Sequence, residues 1–169
     1  MHTFQPYPID MLELNPFTRI GTDWAVLSAG KGEKINAMTV SWGGLGVLWG
    51  KNVGFIFVRD SRYTKEFIDH GDTFSLTFFP KDFHKTPLKY LGSVSGRDEN
   101  KIAAAHLGID YADGIPYIDD GNFVITFRKL SATRITADDF IDPTIDDTFY
   151  KDKDYHTMYV GEILQVLAR

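Results

Sequence analysis

The chain has 169 residues, 43% of them hydrophobic, which suits one domain spanning residues 1–169 with a packed core. Its net charge of −5 argues against broad binding to nucleic acid or to an anionic membrane. It contains no cysteine, which excludes disulfides, thiolate catalysis and thiolate-bound metals and fits a reducing compartment.

The N-terminal residues Met1–Pro8 predict an extended arm whose packing depends on a partner surface. They lack the basic and then apolar pattern of a targeting segment, and no apolar run approaches the roughly 20 residues of a membrane span. These features predict a soluble cytoplasmic protein. The 14% aromatic residues imply apolar surface that is buried in a core or between subunits.

The first half of the chain predicts strands with one helix. Strands are predicted at Trp24–Ala29, Asn36–Trp42 and Val53–Val58, with the glycines from Gly43 to Gly50 interrupting the pattern between the last two. A helix capped by Asp60 or Ser61 would run to about His70. A half-buried strand over Thr73–Phe79 follows.

The second half adds one helix and two long strands. Ser95 and Asp98 have the spacing of a capping box, which predicts a helix ending near Gly108. Strand patterns cover Asn122–Thr136 and Tyr155–Ala168, with a solvated Asp-rich loop between them. Because no regular alternation of strand and helix appears, we predict a mainly β fold, an antiparallel β-barrel with peripheral helices.

One stretch, residues 36–64, combines the chemistry that a phosphorylated aromatic ligand needs. Phosphate takes charge-assisted hydrogen bonds and helix N-terminal N–H groups, while a planar ring takes apolar walls. Positive charge also concentrates here, since eleven Lys/Arg accompany eight Asp/Glu between Lys31 and Lys101, against five and eleven between Asp110 and Asp154. The candidate side chains are Asn36, Thr39, Ser41, Trp42, Lys51, Arg59, Ser61, Arg62, Tyr63 and Thr64.

Four motifs occur in order along the chain: N-A-M-T-V-S-W-G-G-L-G, R-Y-T before a helix, G-S-x-S-G-R-D-x-x-K, and H-T-M-Y-V-G-E-I. Together they resemble the flavin reductase-like family of FMN-binding split barrels, especially its flavoredoxin branch. The resemblance covers about Trp24 to Gln165. It implies a six- or seven-stranded Greek-key split barrel and a homodimer with FMN near the subunit interface. Members pass hydride from NADH or NADPH to flavin, or carry electrons on bound FMN.

The resemblance also implies which residues bind the cofactor. The matching positions are Asn36, Met38, Thr39 and Trp42 in the first motif, Arg62, Tyr63 and Thr64 at the helix start, Ser95, Arg97 and Lys101 in the third motif, and His156 in the last strand, as a nicotinamide or substrate contact. On a regular strand Asn36 and Thr39 point to opposite faces, so common contact requires a bulge or a strand end. Many flavin reductases carry Asp-Pro-Pro where this chain has Trp49-Gly50-Lys51, which weakens free-flavin reduction more than FMN binding.

Other chemistries find less support in the sequence. The glycines near residue 45 do not form G-x-G-x-x-G, G-S-V-S-G is not a nucleophile elbow, and the aspartates from Asp138 to Asp154 lack the pattern of a calcium loop. The five histidines, His2, His70, His84, His106 and His156, show no zinc spacing, so we expect no metal. Arg59 and Arg62 have an alternative reading as surface partners of Asp60 and Glu66.

Three functions therefore stay open. The leading hypothesis is an NAD(P)H-dependent oxidoreductase in which FMN carries the chemistry, no side chain is catalytic, and electrons leave to a small-molecule or protein acceptor. The second is a non-enzymatic FMN-binding electron-transfer protein. The third is a barrel that only dimerises or binds another ligand.

Overall fold

The computed structural model describes residues 3–169 and is built around one large antiparallel sheet. The strands within these residues are β1 (Gln5–Pro6), β2 (Ala25–Lys31), β3 (Lys34–Val40), β4 (Gly43–Leu48), β5 (Lys51–Arg59), β6 (Thr73–Phe78), β7 (Ile109–Ala112), β8 (Ile115–Ile118), β9 (Phe123–Arg134) and β10 (His156–Ala168). The α-helices are α1 (Pro16–Arg19), α2 (Tyr63–His70), α3 (Thr86–Ser93), α4 (Lys101–Ala104) and α5 (Thr144–Phe149).

The sheet curls so that its two edge strands come together where a short connection joins them. The strand order is β3-β2-β6-β9-β10-β5-β4, with β1 added beside β10 and β7-β8 forming a separate hairpin. The edge strands β3 and β4 are consecutive in the chain, joined only by Ser41 and Trp42. The mainly β prediction, with strands outnumbering peripheral helices, is confirmed.

The core fills the concave face of this sheet. It includes Leu27, Ile56, Phe74, Phe127 and Tyr159, all of them buried. The rings of Phe74 and Phe127 stack with centroids 4.9 Å apart. Gly54 and Gly161 face each other on β5 and β10 beneath these rings, and a Cβ on either one would come within 2.6 Å of a ring atom. The core therefore requires glycine at this crossing.

Strand β6 is buried on both faces, so the prediction of a half-buried strand is wrong. Phe74, Leu76 and Phe78 face the core, while the β7-β8 hairpin covers the polar face. The Ser75 hydroxyl donates to the Pro116 carbonyl at 2.6 Å, and the Thr77 hydroxyl accepts from the Ile118 N–H at 3.1 Å. Small hydroxyl side chains suit this face because each finds a backbone partner there.

Strand β4 was missed, since its glycines indicated an interruption of the pattern. It is an edge strand that pairs with β5 alone. Trp49 and Gly50 both adopt positive φ, 54° and 67°, which makes a two-residue hairpin turn into β5. The turn fixes the register, so the glycines of β4 remain paired although their propensity for strands is low.

Two predictions of helix starts are also wrong. Helix α2 begins at Tyr63, with Arg62 rather than Asp60 or Ser61 at the N-cap position, although it ends at His70 as predicted. Ser95 and Asp98 lie in a turn, and α4 is capped by Asn100, whose Oδ1 accepts from the Ala103 N–H at 3.2 Å. Helix α3, which begins beside Pro87, was not predicted, and no helix within residues 3–169 is long and apolar enough to cross a membrane.

The N-terminal arm packs on its own barrel. Gln5 and Pro6 pair with the end of β10, and the Tyr7 N–H donates to the Val166 carbonyl at 2.8 Å. The Phe4 ring meets Tyr117 edge to face at 5.3 Å. Met1 and His2 lie outside the described residues.

Candidate functional site

Two cavities of about 220 and 100 Å³ lie side by side at the corner between β3 and β4, and Met38 and Arg62 line both. We call them the aromatic end and the helix end of one cleft. The aromatic end is lined by Met38, Thr39, Val40, Ser41, Trp42, Phe57, Arg59, Arg62 and His156. The helix end is lined by Met38, Ser61, Arg62, Tyr63, Thr64, Ser93, Val94, Ser95, Gly96 and Lys101.

The helix end offers backbone donors at the first turn of α2. The N–H groups of Tyr63, Thr64, Ser95 and Gly96 have no hydrogen-bond partner within the part of the chain that the structure describes. Unpaired N–H groups at a helix start, together with the helix dipole, favour an anion.

Lys101 adds a buried cation to the helix end. Lys101 is only 4% exposed, and its ammonium donates to the carbonyls of Leu91 at 2.8 Å and Val94 at 3.0 Å. Burial, and next the positive charge of Arg62, lower the pKa of Lys101 to about 8. An anion placed between the two cations would relieve their repulsion, so the pair is suited to hold one.

Arg62 and Arg59 flank the cleft with different partners. One Arg62 nitrogen donates to the Gly92 carbonyl at 2.8 Å, whereas Arg59 donates to the carbonyls of Asp154 at 2.7 Å and Phe149 at 3.0 Å. Arg59 therefore fastens the acidic segment, residues 135–155, against the aromatic end. The alternative surface pairs are not formed, because Asp60 pairs with Arg134 and Glu66 with Arg97.

The acidic segment also reaches Ser61. The Asp154 carboxylate accepts from the Ser61 N–H at 3.0 Å and from its hydroxyl at 2.5 Å. Most of the predicted solvated acidic loop is exposed, while Asp154 is half-buried against Ser61. Both Ser61 donors are already engaged, which leaves the other groups of the helix end to meet an anion.

Asn36 and Thr39 point to opposite sides of β3, as strand geometry requires. Asn36 is buried and its amide donates to the Thr64 hydroxyl at 2.9 Å, which ties β3 to α2. The Thr39 hydroxyl donates to the Leu88 carbonyl at 2.5 Å, which ties β3 to α3. Trp42 lies beyond the end of β3, so its place in the cleft does not depend on the face of the strand.

Arg97 and Lys51 lie outside the cleft. The Arg97 guanidinium covers the Tyr63 ring at 4.8 Å and donates to the Ser61 carbonyl at 3.2 Å. Its backbone N–H donates to the Ser95 hydroxyl at 3.2 Å, so Arg97 braces residues that do line the helix end. Lys51 pairs with Glu162 at 2.8 Å, where neither residue lines the cleft.

The aromatic end provides a ring wall around a buried histidine. The His156 ring lies 5.1 Å from that of Trp42, and Phe149 meets Trp42 edge to face at 5.5 Å. The Tyr150 hydroxyl and His156 Nδ1 are 2.8 Å apart. Burial, with a smaller contribution from Arg59, lowers the pKa of His156 to about 4, so the imidazole is neutral at pH 7.

The lowered pKa of His156 predicts a loss of stability in mild acid. As pH falls from about 6.5 towards 4, the unfolded chain takes up the His156 proton before the folded chain does, so the free energy of unfolding decreases. Urea denaturation between pH 7 and 4.5 measures this slope. His156→Gln should flatten it, whereas the exposed His84→Gln should not. Equal slopes for all three proteins would contradict the burial of a neutral His156.

Comparison with known proteins shows the family to which the chain belongs. The sequence matches the flavin reductase like domain over residues 17–169, which is most of the chain. The chain belongs to the flavin reductase-like family. A search of curated proteins gives no match.

Solved structures of flavin reductase-like proteins share the fold. Flavoredoxin from Methanosarcina acetivorans is 21% identical with a TM-score of 0.66, over 87% of this chain and 68% of that one. An FMN-binding protein from Thermus thermophilus with bound p-hydroxybenzaldehyde is 18% identical with a TM-score of 0.66, over 98% of this chain and 82% of that one. An NADH:FAD oxidoreductase from Streptomyces globisporus C-1027 is 12% identical with a TM-score of 0.62, over 87% of this chain and 75% of that one. The predicted split-barrel fold is confirmed.

The cleft of this family member contains residues that the sequence did not single out. Phe57 lies two positions before Arg59 on β5, so strand alternation could have found it. Ser93, Val94 and Gly96 belong to a segment whose turn-forming composition was interpreted as a helix start. The cleft-lining residues that were missed are Val40, Phe57, Ser93, Val94 and Gly96. Within residues 3–169, no group of three or more His, Asp or Glu side chains is placed to hold a metal ion.

Proposed function

We propose that this chain is an FMN-binding oxidoreductase of the flavin reductase-like family, with the flavin phosphate at the helix end and the flavin ring at the aromatic end. The observation that carries the proposal is the set of unpaired N–H groups at Tyr63, Thr64, Ser95 and Gly96 beside Arg62 and Lys101. In the adjoining aromatic end, Trp42 provides a flat apolar face for a ring.

The residues of the chain bind and orient, while FMN when bound supplies hydride and electron transfer. Arg62 and Lys101 would hold the phosphate, and Asn36 and Thr39 would keep α2 and α3 in register around it. His156 would contact the flavin ring, the nicotinamide or the substrate as a neutral group. We propose NADH or NADPH as donor and a small-molecule or protein acceptor; a cytoplasmic location stays a prediction.

The likeness to flavoredoxin supports a second candidate, an electron carrier that does not react with nicotinamide. Anaerobic mixing of the FMN-loaded protein with NADH and then with NADPH separates the two. Rapid bleaching of the flavin absorbance in a stopped-flow instrument would support the oxidoreductase. A flavin that stays oxidised would indicate the carrier, and a protein that holds no flavin would contradict both.

A homodimer is also part of the proposal. Three exposed apolar side chains lie along the edge strand β4 and its flanking turns. They are Trp42, Val47 and Trp49, with relative exposures of 43%, 73% and 60%. An exposed edge strand with apolar side chains is a surface that proteins usually cover. Because Trp42 also lines the aromatic end, a partner seated on β4 would wall the flavin.

If both subunits wall the flavin, binding and assembly are linked, because a ligand that binds only the dimer stabilises the dimer. We expect dilution to release FMN, and excess FMN to move the monomer–dimer midpoint to lower protein concentration. Analytical ultracentrifugation at a flavin wavelength measures both. Trp49→Ser should raise the midpoint, whereas the control Ile141→Ser, in the acidic segment, should not. A monomer that sediments with full FMN occupancy would show that one chain builds the whole site.

A further inference from the structure

Tyr150 lies behind the aromatic end, against His156, and neither the motifs nor the strand pattern pointed to it. It follows α5 in the acidic segment and is 4% exposed. Its ring lies between Tyr155, stacked at 5.0 Å, and His156, met edge to face at 5.6 Å. The Arg59 guanidinium covers the same ring at 5.2 Å. The hydroxyl is therefore held in one place, 2.8 Å from His156 Nδ1.

The donor in this hydrogen bond follows from the partners available. Within residues 3–169 the Tyr150 hydroxyl has no other acceptor. If Nδ1–H donated to the phenol oxygen, the phenol proton would be left without a protein partner on a side chain that is 4% exposed, which is unfavourable. The phenol must therefore donate to Nδ1, and a neutral imidazole whose Nδ1 accepts carries its proton on Nε2.

The other ring nitrogen faces the cleft. His156 lines the aromatic end, and Nε2 has no hydrogen-bond partner within the described chain. Among the side-chain atoms of the described chain that lack a partner, only Ser28 Oγ and Asn122 Oδ1 are fully buried. Nε2 is not one of them, so it is partly exposed and can be reached from the cavity.

We infer that Tyr150 is a positioning residue that holds His156 as the Nε2–H tautomer, so that the aromatic end presents one fixed, neutral hydrogen-bond donor to an acceptor atom of its ligand. That the ligand is a flavin rests on the proposed function, but the tautomer does not. Tyr150 itself need not touch the ligand.

Burial keeps this donor neutral over a wide pH range. Arg59, from β5, and Arg62, before α2, oppose protonation of His156, whereas Asp154 and Asp60 favour it. Burial outweighs both groups and keeps the pKa of His156 low. A change of pH between 5 and 8 would then leave the donor unchanged, unlike an ordinary surface histidine.

The test is the protonation state of the two ring nitrogens, read from long-range ¹H–¹⁵N correlation spectra of histidine-labelled full-length protein at pH 7 without flavin. His156→Gln identifies the signals of His156. We expect the wild-type protein to show Nε2–H alone, and Tyr150→Phe to show a mixture of both tautomers. The matched control is Tyr155→Phe, which removes a neighbouring hydroxyl that donates to Asp146, and it should leave His156 as in the wild type.

A proton on Nδ1 in the wild type, or an unchanged tautomer in Tyr150→Phe with an otherwise native amide spectrum, would overturn the inference. Adding FMN, with occupancy verified by absorbance, should shift the Nε2–H signal, and about a two- to tenfold weaker affinity is expected for Tyr150→Phe. An occupied sample without that shift would refute the donor role. Failure to bind FMN at all would overturn the proposed function and leave the tautomer result standing.

Discussion

Replacing Arg62 by alanine is expected to weaken FMN binding by about 1.5–3 kcal/mol, roughly ten- to a hundredfold, and to leave riboflavin binding almost unchanged. Arg62 lines both ends of the cleft and makes no ion pair with any residue of the described chain, so its charge is available for a phosphate. Riboflavin has the same ring without the phosphate. The ratio of the two losses therefore isolates the contact with the phosphate.

Isothermal titration of both ligands measures this ratio. Arg128→Ala is the matched control, since Arg128 pairs with Glu162 on the surface and does not line the cleft. Equal losses for FMN and riboflavin would mean that Arg62 acts only through its bond to the Gly92 carbonyl, by holding α3 in place.

The second large effect is expected from Gly96→Ala. A Cβ at this position would lie 2.2 Å from Asn36 Oδ1 and 3.1 Å from the Tyr63 ring. Asn36 cannot swing away without giving up its bond to Thr64, so the segment around Gly96 has to move outward. Such overpacking costs about 1–3 kcal/mol of stability, and it separates the Ser95 and Gly96 N–H groups from those of α2.

We therefore expect Gly96→Ala to lower the free energy of unfolding by that amount and FMN affinity by at least about tenfold, since two backbone donors leave the phosphate. Urea denaturation and fluorescence titration measure the two effects. In Gly108→Ala the new Cβ would meet Asp119 at 3.6 Å and Asp120 Oδ2 at 3.7 Å, both ordinary contacts, so this variant should resemble the wild type. Unchanged FMN affinity in Gly96→Ala would contradict a contact between the phosphate and the Ser95 and Gly96 N–H groups.

The sequence predicted the fold where side-chain patterns are strong. The strand-like stretches at β9 and β10 and the apolar run of β5 are all strands in the structure. It failed where tertiary contacts overrule local preference. Strand β4 is held by its register with β5 despite its glycines, and β6 hides hydroxyls because β8 supplies partners that lie about 40 residues away in the chain.

The same division holds in the cleft. Met38, Trp42, Arg62 and His156, which the motifs singled out, line it. Arg97 does not line it and instead braces Tyr63, which composition could not reveal. Tyr150 reaches His156 because Arg59 and Ser61 fasten the acidic segment to the barrel, and a bond between residues 59 and 149 has no local sequence signal.

The most direct test of the account is the flavin that the protein retains. Purified protein is incubated with equimolar FMN and FAD, freed of unbound flavin, and denatured, and the released flavin is identified by mass spectrometry and quantified by absorbance. The helix end provides for one phosphate, so the account predicts FMN at one per chain. Retention of FAD in preference to FMN, or of no flavin, would contradict it.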